Sequence, residues 1–138
     1  MNPKLSVAET QAFLMREFPQ VADDFLVEAV GPMTARIRIS PNETHLRPGG
    51  TISGPTMFTL ADCAVYLCLI AMVGPEALAV TTNATIDFMR KPEANSDLLA
   101  DVTLLKLGRR LAVGDVHIRS EGSDQLVARA TLTYSRPG

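Results

Sequence analysis

The feature that most constrains this chain is the apolar stretch from Met57 to Val73, interrupted by a single charged residue, Asp62. It is led in by Ser53-Gly54-Pro55 and followed by Gly74-Pro75. Proline is favoured at the first position of a helix, and a Gly-Pro pair ends one. Residues 55–73 therefore read as one helix, apolar on all sides, which must be covered on all sides. The stretch is just short of a membrane span and carries a charge near its middle, so a buried core helix is the better reading.

The rest of the chain supplies what could cover it. Ser6 followed three residues on by Glu9 is a capping-box pattern, and Phe13, Leu14 and Phe18 give a weak apolar stripe. A short N-terminal helix, within residues 1–20, is expected to close at Pro19. Phe25 to Val30 and Met33 to Ser40 read as strands around a Gly31-Pro32 turn, with Arg36 and Arg38 alternating against Ile37 and Ile39. After the helix, four more strands are expected over 78–90, 97–107, 110–120 and 125–135. Turn residues separate them: 91–95, Gly108 and 122–124. No repeat or linker divides the 138 residues, which read as a single α+β domain, an antiparallel sheet wrapped around a long central helix. A sheet covers one side of that helix and a second copy of the chain can cover the other, so at least a homodimer is expected.

Charge and composition exclude several partners. Thirteen Lys and Arg are scattered among fifteen acids, so no basic face is available for nucleic acid. With no tryptophan, two tyrosines and five phenylalanines, a base-stacking platform is also unsupported. The N-terminus is too charged for a signal peptide. Cys63 and Cys68 lie five residues apart on a helix, about 7.5 Å along its axis and about 140° around it, and cannot bridge each other. They read as small buried hydrophobes of a reducing, cytoplasmic setting, with no metal-ligand spacing around them. No cofactor is expected.

Asp62 is the only ionisable acid or base between Arg47 and Glu76. Aspartate is a poor helix former, and an unpaired buried carboxylate costs several kcal/mol. It is kept either for a polar contact, for which Arg47 is a candidate partner, or for chemistry. The helix start offers a second element. Free N–H groups and the positive end of the helix dipole favour a developing anion, and Gly54 has no side chain to block close approach. Gly54 and Asp62 are eight residues apart, about 12 Å along a helix. Both would have to lie about 3 Å from one reacting carbonyl, which a single chain cannot arrange. Two antiparallel copies of the helix could.

The run SGPTMFTLAD-x-A, followed by TTNATIDFMRKP and then GRR, resembles the hotdog-fold acyl-CoA thioesterases of the phenylacetate-pathway type over roughly residues 25–135. The resemblance implies hydrolysis of acyl- or aryl-CoA to free acid and CoA in a homodimer or a dimer of dimers, with sites at the subunit interface. It implies that Asp62 is nucleophile or general base, that the Gly54 N–H polarises the thioester carbonyl, and that Tyr66 orients water or substrate. The usual His-Gly-Gly turn reads Ser53-Gly54-Pro55 here, and Arg47 stands at the usual upstream Asn. Arg47 could tune Asp62, hold a substrate carboxylate or grip a phosphate. Arg90, Lys91, Arg109 and Arg110 match the family's basic positions loosely, as CoA-phosphate candidates, and Asn83 could reach the site or fill an interface. The altered turn leaves a non-catalytic acyl-CoA-binding or regulatory protein as the alternative. The lone His45 and His117 carry no assigned role.

Overall fold

The computed structural model describes residues 1–137. In chain order it contains helices α1 (Val7–Glu17) and α2 (Pro19–Ala22), strands β1 (Phe25–Gly31) and β2 (Thr34–Ile39), and the central helix α3 (Gly54–Val73). Strands β3 (Val80–Phe88), β4 (Leu98–Leu107), β5 (Leu111–Ser120) and β6 (Leu126–Ser135) follow. The six strands form one sheet in the order β1-β2-β4-β5-β6-β3, with every neighbouring pair antiparallel. This is the α+β arrangement expected from the sequence, a sheet wrapped on one helix.

The alternation in the strands sorts their two faces. Ile37 and Ile39 of β2, Ala100 and Val102 of β4, Val116 and Ile118 of β5, and Ala130 and Leu132 of β6 are buried. The opposite face carries charge paired across strands: Arg36 with Asp101, and Arg38 among Glu28, Asp97 and Glu121. Helix α3 comes closest to the sheet at Gly114, where a Cβ would lie 2.9 Å from both Cγ atoms of Val65. A side chain at 114 would force Val65 or the strand to shift.

The N-terminal segment covers more of the molecule than its weak stripe suggested. The Ser6–Glu9 capping box forms in both directions. Helix α1 packs on α3 and β1 and buries Phe13 and Leu14. The Lys4 and Leu5 N–H groups both donate to the Ala71 carbonyl, at 2.8 and 3.1 Å. Pro19 closes α1 as expected but also opens the short α2, because its fixed φ suits a first helical turn.

This completes most of the cover of α3 within the chain. Helix α3 is long and apolar enough to cross a membrane, yet 13 of its 20 residues are already buried within the chain. The cover that a second copy could give its other side is thus largely supplied within the chain. The uncovered apolar surface lies instead along β3, an edge strand, where Val80 is 57% and Phe88 52% exposed, flanked by Leu78 and Met89. An apolar edge with unpaired backbone groups is a surface that another strand covers.

Cys63 and Cys68 are free and buried, and burial pushes both thiols up to about 12, with the Asp62 charge adding to the effect at Cys63. The unfolded thiols ionise near pH ~8.5. Their contribution to stability is complete below that pH and is lost as pH rises from there towards the folded-state values. Melting temperature is accordingly expected to fall as pH rises through 9 and above. An aromatic disulfide reagent at pH 8 should leave both thiols unmodified until denaturant is added. Prompt labelling of the folded protein would contradict this packing.

Candidate active site

Asp62 sits in the third turn of α3, half-buried, and lines a cleft of about 410 Å³. Its Oδ1 accepts two hydrogen bonds, from the Thr81 hydroxyl at 2.6 Å and from the Tyr134 phenol at 2.7 Å. Such short O–H···O⁻ contacts are the strong, charge-assisted kind. Tyr134 is 4% exposed, and burial first, then the Asp62 charge, holds its phenol well above the ordinary tyrosine range. It therefore remains a proton donor throughout the neutral range. Phe18, Tyr66, Ala79 and Val80 supply the apolar wall of the cleft.

Tyr66 lines this cleft with its ring, but its hydroxyl donates to the Ala77 carbonyl at 3.1 Å. The hydroxyl beside the carboxylate belongs to Tyr134 instead. The Ala77–Ala79 wall is anchored by Glu76, which receives a two-pronged ion pair from Arg136 at 2.9 and 2.7 Å. The same guanidinium donates to the Gly108 carbonyl, tying this wall to the turn that carries Arg109 and Arg110. Those two arginines are exposed and line neither the Asp62 cleft nor the cleft at Gly54. Asn83 is exposed on the edge strand and likewise does not line the Asp62 cleft.

The helix start forms a separate cleft of about 430 Å³, bordered by Arg47, Gly54, Met57, Phe88, Arg90 and Lys91. Ser53 is the N-cap: its hydroxyl accepts from the Thr56 N–H at 3.3 Å and its carbonyl from the Met57 N–H at 3.0 Å. Pro55 has no N–H. The Gly54 N–H is thus the first-turn donor without an acceptor among the described residues. A Cβ at 54 would meet the Phe88 ring at 3.5 Å, an ordinary contact, so packing within the chain does not demand glycine there.

Arg47 does not reach Asp62. It is exposed at the base of a tight hairpin, Arg47-Pro48-Gly49-Gly50, whose φ values of 101° at Gly49 and 80° at Gly50 require glycine. Of the alternatives open for Arg47, a contact with Asp62 of the same chain does not form: Arg47 borders the Gly54 cleft, and the partners of Asp62 are hydroxyls. Arg90 is also partly engaged, donating to the Leu126 carbonyl and to Gln125.

His45 proves to be structural. Its Nδ1 accepts from the Asn42 N–H at 3.0 Å and its Nε2 lies 3.1 Å from Asp24 Oδ1, while its carbonyl accepts from the Ser53 N–H at 2.8 Å. It fastens the loop that presents Gly54. His117 is exposed on the sheet surface beside Asp115.

Strand alternation by itself does not bring Thr81 and Tyr134 together. They are direct cross-strand partners on β3 and β6, but the register slips between Thr81 and Asn83. Phe88, Ile86 and Ala84 pair with the buried residues Ala128, Ala130 and Leu132, so strict alternation would bring Thr82 opposite Tyr134. The bulge substitutes Thr81 and aims it at Asp62.

Comparisons with known proteins bear on the family and the fold. The sequence signature of the thioesterase superfamily matches residues 49–136. The crystal structure of a candidate thioesterase from Silicibacter sp. TM1040 is 51% identical and covers 100% of this chain and 96% of that one, with a TM-score of 0.93. A mutant of the phenylacetic acid degradation protein PaaI from Thermus thermophilus is 30% identical, covering 86% and 99% of the two chains, with a TM-score of 0.73. A candidate esterase of Pseudomonas aeruginosa is 26% identical over 81% of this chain and 88% of its own.

Proposed function

Because the chain belongs to the thioesterase superfamily and is a thioester hydrolase of the hotdog fold, we propose that it cleaves acyl- or aryl-CoA thioesters at sites shared between two copies of itself. The observation that carries this reading is the separation of two incomplete half-sites along one strand. Gly54 lies against Phe88 at the end of β3, and Asp62 is bonded to Thr81 at its start. Pairing two β3 edges antiparallel about a two-fold axis brings the Phe88 end of one copy to the Thr81 end of the other. The Gly54 cleft of each copy then faces the Asp62 cleft of its partner. The same pairing covers the exposed Val80 and Phe88.

The chemistry follows from these two halves. The thioester carbonyl oxygen accepts from the Gly54 N–H at the positive end of α3, which stabilises the oxyanion as the carbonyl becomes tetrahedral. Asp62 either takes a proton from the attacking water or attacks the carbonyl itself. Collapse of the intermediate breaks the C–S bond and expels the CoA thiolate. In the base route, the proton that Asp62 took from water passes to this thiolate. In the nucleophilic route, water then opens the Asp62–acyl anhydride, which releases the acid, restores the carboxylate and supplies the proton that the thiolate takes up. Single turnover in ¹⁸O-labelled water separates the two routes, because only the nucleophilic route can leave label in the Asp62 carboxylate. Arg47, Arg90 and Lys91 border the Gly54 cleft and suit the CoA phosphates. Arg109 and Arg110 would contribute only through a further subunit contact, as in a dimer of dimers.

The test is an acyl-CoA panel spanning short, long and aromatic acyl groups, with released thiol detected and the oligomeric state measured by light scattering. Thiol release by a dimer or larger assembly supports the proposal. Tight binding of CoA esters without release would identify a binding protein, and a monomer that hydrolyses would refute the shared site.

A further inference from the structure

The carboxylate of Asp62 is held asymmetrically, and this points to a role for Tyr134, which the proposed chemistry leaves without one. We propose that Tyr134 is a positioning residue for thioester cleavage: together with Thr81 it saturates Oδ1 of Asp62 and so assigns Oδ2 to the substrate. The inference rests on Asp62 acting as base or nucleophile and deepens that reading by naming the oxygen that acts.

Three observations support it. Both hydroxyl donors converge on one oxygen, at 2.6 and 2.7 Å, while no described residue donates to Oδ2. A carboxylate turned by χ2 would exchange its two oxygens; two donors from adjacent strands fix that angle. Secondly, packing does not call for the phenol. The Tyr134 ring stacks on Tyr66 with centroids 5.9 Å apart, and a phenylalanine would fill the same space without a buried hydroxyl to satisfy. Its hydroxyl also reaches the Asp62 backbone carbonyl, at 3.1 Å, so the shorter bond to the side chain is not needed merely to satisfy the phenol. Thirdly, the bulge in β3 breaks strand alternation at the one point that sets Thr81 opposite Tyr134. A departure from regular pairing that converges two hydroxyls on one carboxylate is better explained by the site than by the sheet.

The two donors act on the carboxylate and not on the substrate, so their loss should slow turnover more than it weakens binding. Steady-state kinetics on a thioester that the wild type cleaves provide the test. Tyr134→Phe is expected to lower kcat by roughly 10- to 100-fold, the cost of a misplaced reacting group, with KM changed by less than about threefold. Thr81→Val is expected to behave alike, and Thr81→Ser, which keeps a hydroxyl, should recover most of what Thr81→Val loses. This threonine pair decides the matter should Tyr134→Phe fold poorly. Unchanged kcat in both hydroxyl deletions, or a loss confined to KM, overturns the positioning role while leaving hydrolysis by Asp62 intact. Absence of hydrolysis by the wild type would overturn the parent reading as well.

Discussion

Replacing Asp62 by asparagine is expected to lower kcat for thioester hydrolysis by roughly 10²- to 10⁴-fold, the range lost with a positioned general base. The substitution is nearly isosteric, and the amide oxygen can still accept from Thr81 and Tyr134. The fold and the clefts should therefore survive, and the melting temperature should move by only a few degrees. What disappears is the charge and the capacity of the free oxygen to take a proton or attack a carbonyl. Affinity for a CoA ester should remain close to wild type, because the candidate phosphate ligands Arg47, Arg90 and Lys91 line the other cleft. Kinetics, a thermal melt and CoA-ester titration on the same preparation make the test complete. Hydrolysis at the wild-type rate by Asp62→Asn would remove Asp62 from the mechanism.

The second large effect is a recovery of activity from two inactive variants. Gly54→Pro deletes the N–H assigned to the oxyanion, a loss worth roughly 10²- to 10³-fold for a single donor. The first helical position tolerates proline, and Ser53 already has the extended backbone, ψ 157°, that precedes one. In a mixed dimer of Gly54→Pro with Asp62→Asn, one site combines the intact Gly54 of one chain with the intact Asp62 of the other. The second site carries both defects. Random reassortment makes half of the dimers mixed, with one working site in two, so activity should return to about a quarter of wild type. Sites contained within single chains would give no recovery at all.

Much of this molecule is legible in its sequence. Helix α3 was marked by its apolar run and its Gly-Pro ends, the capping box by Ser6 and Glu9, and the strands by alternation, because each rests on local periodicity or local backbone chemistry. Asp62 stood out because a charge in such a run needs a reason. The short α2 was missed because proline ends one helix and begins another with the same fixed φ. The resemblance implies that Tyr66 orients water or substrate; its ring does line the Asp62 cleft, but its hydroxyl donates to Ala77.

What the sequence by itself determined, then, was the pattern of elements, the lone carboxylate on the central helix, and the eight-residue spacing that separates it from Gly54. These follow from repeats of 2.0 and 3.6 residues and from a fixed helical rise. Only the tertiary structure decided which groups hold Asp62, where Arg47 sits, and which apolar surface remains uncovered. Thr81 and Tyr134 are 53 residues apart in the chain and meet through a strand pairing whose one-residue slip reverses which side chain faces the helix. Register of that kind is a property of two strands together, and neither strand's own sequence contains it.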